Sequence, residues 1–300
     1  MEIKYSSDFL NLYDTILNDT KKDKKQTEKK VNDIRYSEML LFIISFISFF
    51  AFFIAPIENL NSKLMFFAIG MVMIVISILY MILNEIKIFG LRVNLKNIMM
   101  KDFAKTISND WEFKEKDSIS EVYYKKSGFN PTYKSIYSDG YLKAKRKDKT
   151  IDMGNVSVMR DITNSNRNIT VEAFNGIFAH SPIDANMFEV DLMKTNSKNN
   201  VKQKLEIVNG KLYMYSDNIK EATTVFDAAI IQKIMDLRNE LGIDIELMVY
   251  EDEIYFRFYT PNTISANLFG SDYEKQALYF YYKISKFIVE FSNEIEKKVQ

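Results

Sequence analysis

The sequence predicts an α+β protein. It has an N-terminal two-helix transmembrane hairpin with a helical stalk, followed by a cytosolic domain of antiparallel β-hairpins packed with helices. Three observations carry this prediction. Two uncharged apolar runs, Met39 to Ile57 and Leu64 to Leu83, stand close together near the N-terminus. From Trp111 onward, helical periodicity gives way to short alternating runs and turns. Asn209-Gly210 then separates the apolar stretches KLEIV and KLYMY, the favoured two-residue turn of a β-hairpin.

The N-terminal segment, residues 1–38, is highly charged. Ser6 and Ser7 can cap a short helix whose apolar face is Phe9, Leu12, Tyr13, Ile16 and Leu17. Its polar face carries Asp8 and Asp14 rather than lysines, which favours packing on the cytosolic domain over lying on a membrane. Lys21 to Lys30 reads as a solvated lead-in. No small-residue cleavage site follows the first apolar run, so that run reads as an uncleaved anchor.

The spans, 39–57 and 64–83, are 19 and 20 residues long and free of Asp, Glu, Lys, Arg and His. At about 1.5 Å per residue each matches a hydrocarbon core of roughly 30 Å. Seven basic residues from Lys21 to Arg35 precede them, and Lys87, Arg92, Lys96 and Lys101 follow, whereas the connecting loop offers Lys63. The positive-inside bias puts both termini in the cytoplasm, as in a multi-pass protein of the cytoplasmic (inner) membrane. With no ionisable group inside the spans, ion or proton transport is disfavoured. Ile88, Leu91, Leu95, Ile98 and Phe103 extend the helical period into a stalk over 84–110, whose one-sided stripe requires a partner.

The cytosolic domain occupies 111–300. Ser138-Asp139-Gly140 reads as a turn, and Ile151 to Asp161 and Ile169 to Ala179 as strands. A helix follows, with Thr224 and Asp227 as its capping pair, Phe226, Ile230, Ile234, Leu237 and Leu241 as its stripe, and Gly242 at its end. DIELMVY-EDE-IYFRFYT reads as a second hairpin tipped by Glu251, Asp252 and Glu253. The last helix runs from about Asp272 to Lys298. Its face Ala277, Tyr281, Ile284, Ile288, Phe291 and Ile295 has heptad spacing, suited to packing on a sheet or to oligomerising as a coiled coil.

Composition narrows the chemistry. Forty basic and forty acidic side chains leave no net charge, so nothing draws the chain toward nucleic acid. The absence of cysteine excludes disulfides, zinc-thiolate sites and thiol catalysis. His180, the single histidine, sits beside Ser181 and Pro182 and reads as a strand-end residue. No GxxxxGK[ST] or GxGxxG loop is present. No catalytic, cofactor-binding or metal-binding residue is therefore expected, and the chain reads as a non-enzyme. The densest basic cluster of the domain is Lys143, Lys145, Arg146, Lys147 and Lys149. In one strand its four lysines share a face that can meet anionic lipid headgroups, or simply solvate an edge strand.

Three stretches carry a resemblance: Tyr137 to Val158 (YSDGYLKAKRKDKTIDMGNVSV), Val171 to Ile183 (VEAFNGIFAHSPI) and Lys211 to Leu241 (KLYMYSDNIKEATTVFDAAIIQKIMDLRNEL). With the hairpin and helix that follow, the chain resembles the bacterial family known as domain of unknown function 3137. The resemblance implies a two-span membrane protein with a C-terminal cytosolic α+β region, a Phe-x-Gly turn between strands, and no established catalytic residues. About Phe188 to Asn209 departs from it. The expectation is a membrane-anchored, non-enzymatic scaffold or sensor that presents the domain to a protein partner or lipid headgroups. The alternative is an oligomerising two-span effector that perturbs the bilayer.

Overall fold

The computed structural model describes residues 4–54, 60–108, 110–129, 132–164, 167–194, 203–208, 212–261 and 273–299. Two helices of 48 residues each dominate its first third, α1 (Ser7–Ile54) and α2 (Leu60–Ile107). The predicted N-terminal helix, charged lead-in and first span form one helix. Lys21 to Lys30 contains no Gly or Pro and is rich in residues that favour helix even in water. The two helices run antiparallel along a seam of small and polar groups. Ser45 meets Ser77 at 2.6 Å, Ser37 meets the Tyr80 hydroxyl at 3.2 Å, and Arg35 pairs with Glu85 at 2.8 Å. Gly70 lets α2 approach Phe49 so closely that an added Cβ would lie 3.1 Å from the Phe49 Cα. Among the described residues, α2 over Phe67–Ile107 is the one helix long and apolar enough to cross a membrane.

Away from the apolar runs, both helices enter the core of the domain. Phe9, Leu12, Tyr13 and Ile16 of α1 and Leu95, Met99, Met100 and Phe103 of α2 are buried in one cluster with the sheet and the last helix. The stripe on the stalk thus finds its partner within the chain.

Among the described residues the antiparallel sheet is built from β1 (Trp111–Phe113), β2 (Ser135–Arg146), β3 (Lys149–Asn164), β4 (Arg167–Met193), β5 (Gln203–Val208), β6 (Leu212–Ser216) and β7 (Ile245–Phe258). β4 is its axis. One edge of β4 pairs with β3 and then, at Val190 to Met193, with β6, while β7 runs along the other edge. The predicted strands over 151–161 and 169–179 lie inside β3 and β4. The flanks of the Asn-Gly hairpin are β5 and β6, paired antiparallel with Leu205 opposite Met214. Asn209-Gly210 itself lies outside the described residues.

Two expected turns are corrected, and a third is found. Ser138-Asp139-Gly140 is a bulge within β2, with Gly140 at φ 65° and a register shift between Asp139 and Leu142. Phe174-Asn175-Gly176 lies within β4. Gly there allows the Phe258 carbonyl to approach, since a Cβ would stand 2.0 Å from that oxygen. DIELMVY-EDE-IYFRFYT is the predicted hairpin: β7 folds back at Glu251, which has φ 56°, so that the Tyr259 N–H donates to the Asp244 carbonyl at 3.0 Å and Arg257 meets Glu246 at 3.6 Å, while both arms pair with β4. Local sequence marks a change of direction equally well for a turn and for a bulge, and pairing across the sheet decides between them.

Helices cover both faces of the sheet. On one lie α4 (Ile219–Val225), α5 (Ala228–Leu241) and α6 (Glu274–Val299), with the ends of α1 and α2. Thr224 belongs to α4. α5 is capped by Asp227 alone, whose Oδ1 accepts from the Ile230 N–H at 3.1 Å, and closes at Gly242 with φ 65°. Ala277, Tyr281, Ile284, Ile288, Phe291 and Ile295 of α6 are all buried in this core, which leaves none of them for a coiled coil. The other face carries a smaller core of Tyr124, Phe129, Tyr141, Val156, Phe174, Phe178 and Tyr255, roofed by the six-residue helix α3 (Glu121–Lys126).

Gly176→Ala is expected to cost about 2–4 kcal/mol, because the β4–β7 ladder must part to admit the methyl group. Gly90→Ala, a helical site with nothing within 4 Å, is expected to be neutral or stabilising by up to about 1 kcal/mol. Urea unfolding of the two variants beside the parent chain checks both.

Candidate functional site

The register of the sheet sets five polar residues in one row. Glu112, Lys143, Asp152, His180 and Tyr255 stand directly opposite one another on β1, β2, β3, β4 and β7. Opposed residues point to the same face, here the one roofed by α3. The row alternates in sign, from acid to base to acid to imidazole, and its inner half is buried.

His180 is the centre of that buried half. It lies in the middle of β4 between β3 and β7, not at a strand end, and is 3% exposed. Its Nδ1 is 3.4 Å from Asp152 Oδ2. Its Nε2 is 3.3 Å from Glu253 Oε1, an ion-pair distance that lacks hydrogen-bond alignment. The Tyr123 ring of α3 is stacked on the imidazole at 4.0 Å, tilted 16°. The Tyr141 hydroxyl donates to Asp152, and the Tyr255 hydroxyl to Glu253. Lys126 of α3 reaches Glu253 at 3.6 Å.

The electrostatics follow from this packing. Burial alone would push the imidazole down, but the contacts with Asp152 and Glu253 outweigh it and raise its pKa above the ordinary 6.5. The contact with His180 holds Glu253 down at about 2 despite its partial burial. Burial, and then hydrogen bonding to a carboxylate, pushes the Tyr141 and Tyr255 hydroxyls well up. The result is an imidazole enclosed between two carboxyl groups, Asp152 buried and Glu253 partly exposed. Among the described residues, no group of three or more acidic or histidine side chains could hold a metal ion.

The basic cluster is divided by the fold. Lys147 and Asp148 form the turn between β2 and β3, so the four lysines do not share one strand face. Arg146 is buried and binds three parts of the chain. It forms an ion pair with Glu296 of α6, donates through Nε to Asn293 at 2.9 Å, and donates through a terminal nitrogen to the Pro182 carbonyl at 2.7 Å. Lys147 joins Glu296 at 2.9 Å, and Lys149 joins Asp184 at 2.9 Å, holding that carboxyl down at about 2. Lys143 and Lys145 remain at the outer end of the polar row. With Asp110, Trp111, Glu112, Lys114 and Thr150 they line a concavity of about 690 Å³.

Sequence reasoning missed Asp152, Glu253, Tyr123 and Tyr141. None of them carries a local mark of this role, and only the register across four strands and α3 brings them to His180. The signal that was present is the single histidine within an apolar stretch.

No family model matches the chain, and no curated protein matches it. Among solved structures, the crystal structure of the mycobacterial trehalose monomycolate transport factor A, TtfA, is similar to 63% of this chain and 93% of its own length. The identity is 10% and the TM-score 0.36, a likeness that carries no argument about function.

Two predictions follow from the charges. The raised pKa of His180 contributes stability that is complete below about pH 6.5 and is lost as pH rises through the folded value. The lowered pKa of Glu253 contributes stability that is complete above about pH 4.5 and is lost as pH falls toward 2. The gap in melting temperature between the parent chain and His180→Gln should therefore be widest between pH 4.5 and 6.5 and narrow on both sides. Separately, Arg146→Met should cost about 1–3 kcal/mol by breaking the buried contacts with Glu296, Asn293 and the Pro182 carbonyl, Glu296 keeping Lys147 as a partner, whereas Lys145→Gln should change stability by less than about 0.5 kcal/mol. Denaturant midpoints of these two variants check that division of the cluster.

Proposed function

We propose that this protein is a membrane-anchored, non-enzymatic scaffold or sensor whose two-span hairpin holds the α+β domain on the cytoplasmic side for a protein partner. The observation that carries this reading is the exposed apolar belt on both long helices. Phe42, Phe46 and Ile47 of α1 and Val72, Leu79 and Ile82 of α2 are all more than half exposed. An apolar surface of this extent requires a nonaqueous neighbour. The same helices continue without a linker into the core of the domain. Lys96 of α2 pairs with Asp139 in the β2 bulge, Asn97 donates to Glu115 at 2.7 Å, and Tyr13 and Lys24 of α1 both reach Glu274 of α6. A displacement of the hairpin therefore moves the sheet, which suits a sensor.

The same geometry favours a protein over lipid headgroups as partner of the basic cluster. Ile107 is 24 residues beyond Leu83 on α2, about 36 Å along the helix. The Lys145 N–H bonds to the Asp110 carbonyl just past that point, so Lys143 and Lys145 stand at the membrane-distal end. The oligomerising-effector reading loses the heptad face of α6 to the core. What still favours it is the aromatic ladder Phe42, Phe46 and Phe50 on the outside of α1, with ring centroids 6.2 and 4.5 Å apart.

The cysteine-free sequence makes the topology directly testable. In Lys25→Cys and Lys145→Cys chains, a membrane-impermeant thiol reagent should label neither site in intact cells and both after lysis, with the protein resisting alkaline carbonate extraction. Labelling in intact cells, or release by carbonate, would overturn the anchored cytoplasmic reading. Crosslinking in cells then separates the two functions. A recurrent foreign protein joined to the domain supports the scaffold, and a pure homo-oligomeric ladder supports the effector.

A further inference from the structure

His180 is held where one neutral ring cannot serve both its neighbours. Asp152 stands at Nδ1 and Glu253 at Nε2, at 3.4 and 3.3 Å. A neutral imidazole carries a single N–H, so either tautomer turns a lone pair toward one of the two carboxylates. The imidazolium alone presents a positive N–H edge to each. The Tyr123 ring lies nearly parallel over the same imidazole at 4.0 Å, a placement in which its π face attracts a cation.

Tyr123 belongs to α3, whose other holds include the buried Tyr124 ring, packed on Phe174 and Phe178, and the Glu121 carboxylate, which accepts from the Tyr133 hydroxyl. The helix is six residues long, pairs with no strand, and roofs the smaller core through Tyr124, whose ring lies 5.2 Å from that of Phe178. The other titratable or charged groups around the imidazole are Tyr141 and Lys143 on β2, Tyr255 on β7 and Lys126 on α3. Among the described residues, once His180 is neutral, Lys126 is the one remaining cation at ion-pair distance from Asp152 or Glu253, and it touches Glu253 alone.

We propose that His180 is a proton-operated latch for α3. As an imidazolium it draws Asp152, Glu253 and Tyr123 together and keeps α3 on the sheet. On losing its proton it leaves two facing carboxylates beneath Tyr123, and α3 lifts. Lifting uncovers the inner half of the polar row and the aromatic floor formed by Phe178 and Tyr255. The inference stands apart from the membrane-scaffold reading, because it concerns a contact inside the domain.

The single histidine makes the test direct. Full-length protein in detergent, labelled with carbon-13 histidine, gives one imidazole signal to follow with pH. Amide exchange over residues 120–127, corrected for its intrinsic pH dependence, reports α3 in the same samples. The expected result is a His180 midpoint above pH 6.5, with α3 exchange rising at least about tenfold across that midpoint. Glu253→Gln should lower proton affinity about tenfold and carry the exchange transition down with it. His180→Gln should abolish the pH dependence. If that variant does not fold, the shared shift in Glu253→Gln decides the matter. A midpoint at or below 6.5, or α3 exchange that ignores the midpoint, overturns the proposal.

Discussion

The structure depends on one shared apolar core in which the ends of the two long helices, the sheet and α6 are buried together. Phe9 packs edge-on against Tyr279 at 4.9 Å and lies 5.6 Å from Tyr282, so the first turns of α1 are fixed to the first turns of α6. Met99, Met100 and Phe103 close the same core from α2. If these residues left the core, the helical pair would hang on a tether. With them in it, the helical pair and the domain are one mechanical body. Burial of large side chains on this scale outweighs any single polar contact, each apolar side chain contributing about 1.5–3 kcal/mol. The ion pairs at Lys96 and Lys24 therefore select the angle of the joint more than they strengthen it.

The second constraint is the length of β4. A 27-residue strand has room for β3 and β6 in succession on one edge and β7 along the other. This arrangement makes His180 central and lines up the polar row across five strands. The register break of β4 between Pro182 and Met187 faces the tip of the β7 hairpin.

Buried charge is used here for specification. Arg146 with Glu296 pins the β2–β3 turn to the end of α6. Arg257 is enclosed by the rings of Phe129, Phe174 and Tyr259 at 4.8, 4.6 and 5.2 Å and faces Glu246 at 3.6 Å, joining the two arms of the β7 hairpin beneath the smaller core. A buried pair adds little net stability over an apolar replacement but penalises every arrangement that separates its members. Each pair joins segments more than ten residues apart, where apolar packing alone would tolerate sliding.

The sequence by itself determined the parts whose cause is local. The two long helices follow from apolar composition and the absence of breakers, the β5–β6 pair from the pattern around Asn209-Gly210, and α5 and α6 from their stripes and, for α5, the closing Gly242. Only tertiary structure decided what those parts meet. Asp227 rather than Thr224 caps α5 because α4 takes Thr224 into its own last turn. The heptad stripe of α6 fits a sheet and a coiled coil equally well as a pattern, and the available core settled it. Five basic residues close in sequence became one buried clasp, two surface ion pairs and two free ends, because a two-residue turn redirected the chain in their midst. Asp152 and Glu253 carry no mark of their pairing with His180. Side-chain chemistry is written residue by residue, but the distance between two strands is set by register, and register is a property of the whole sheet.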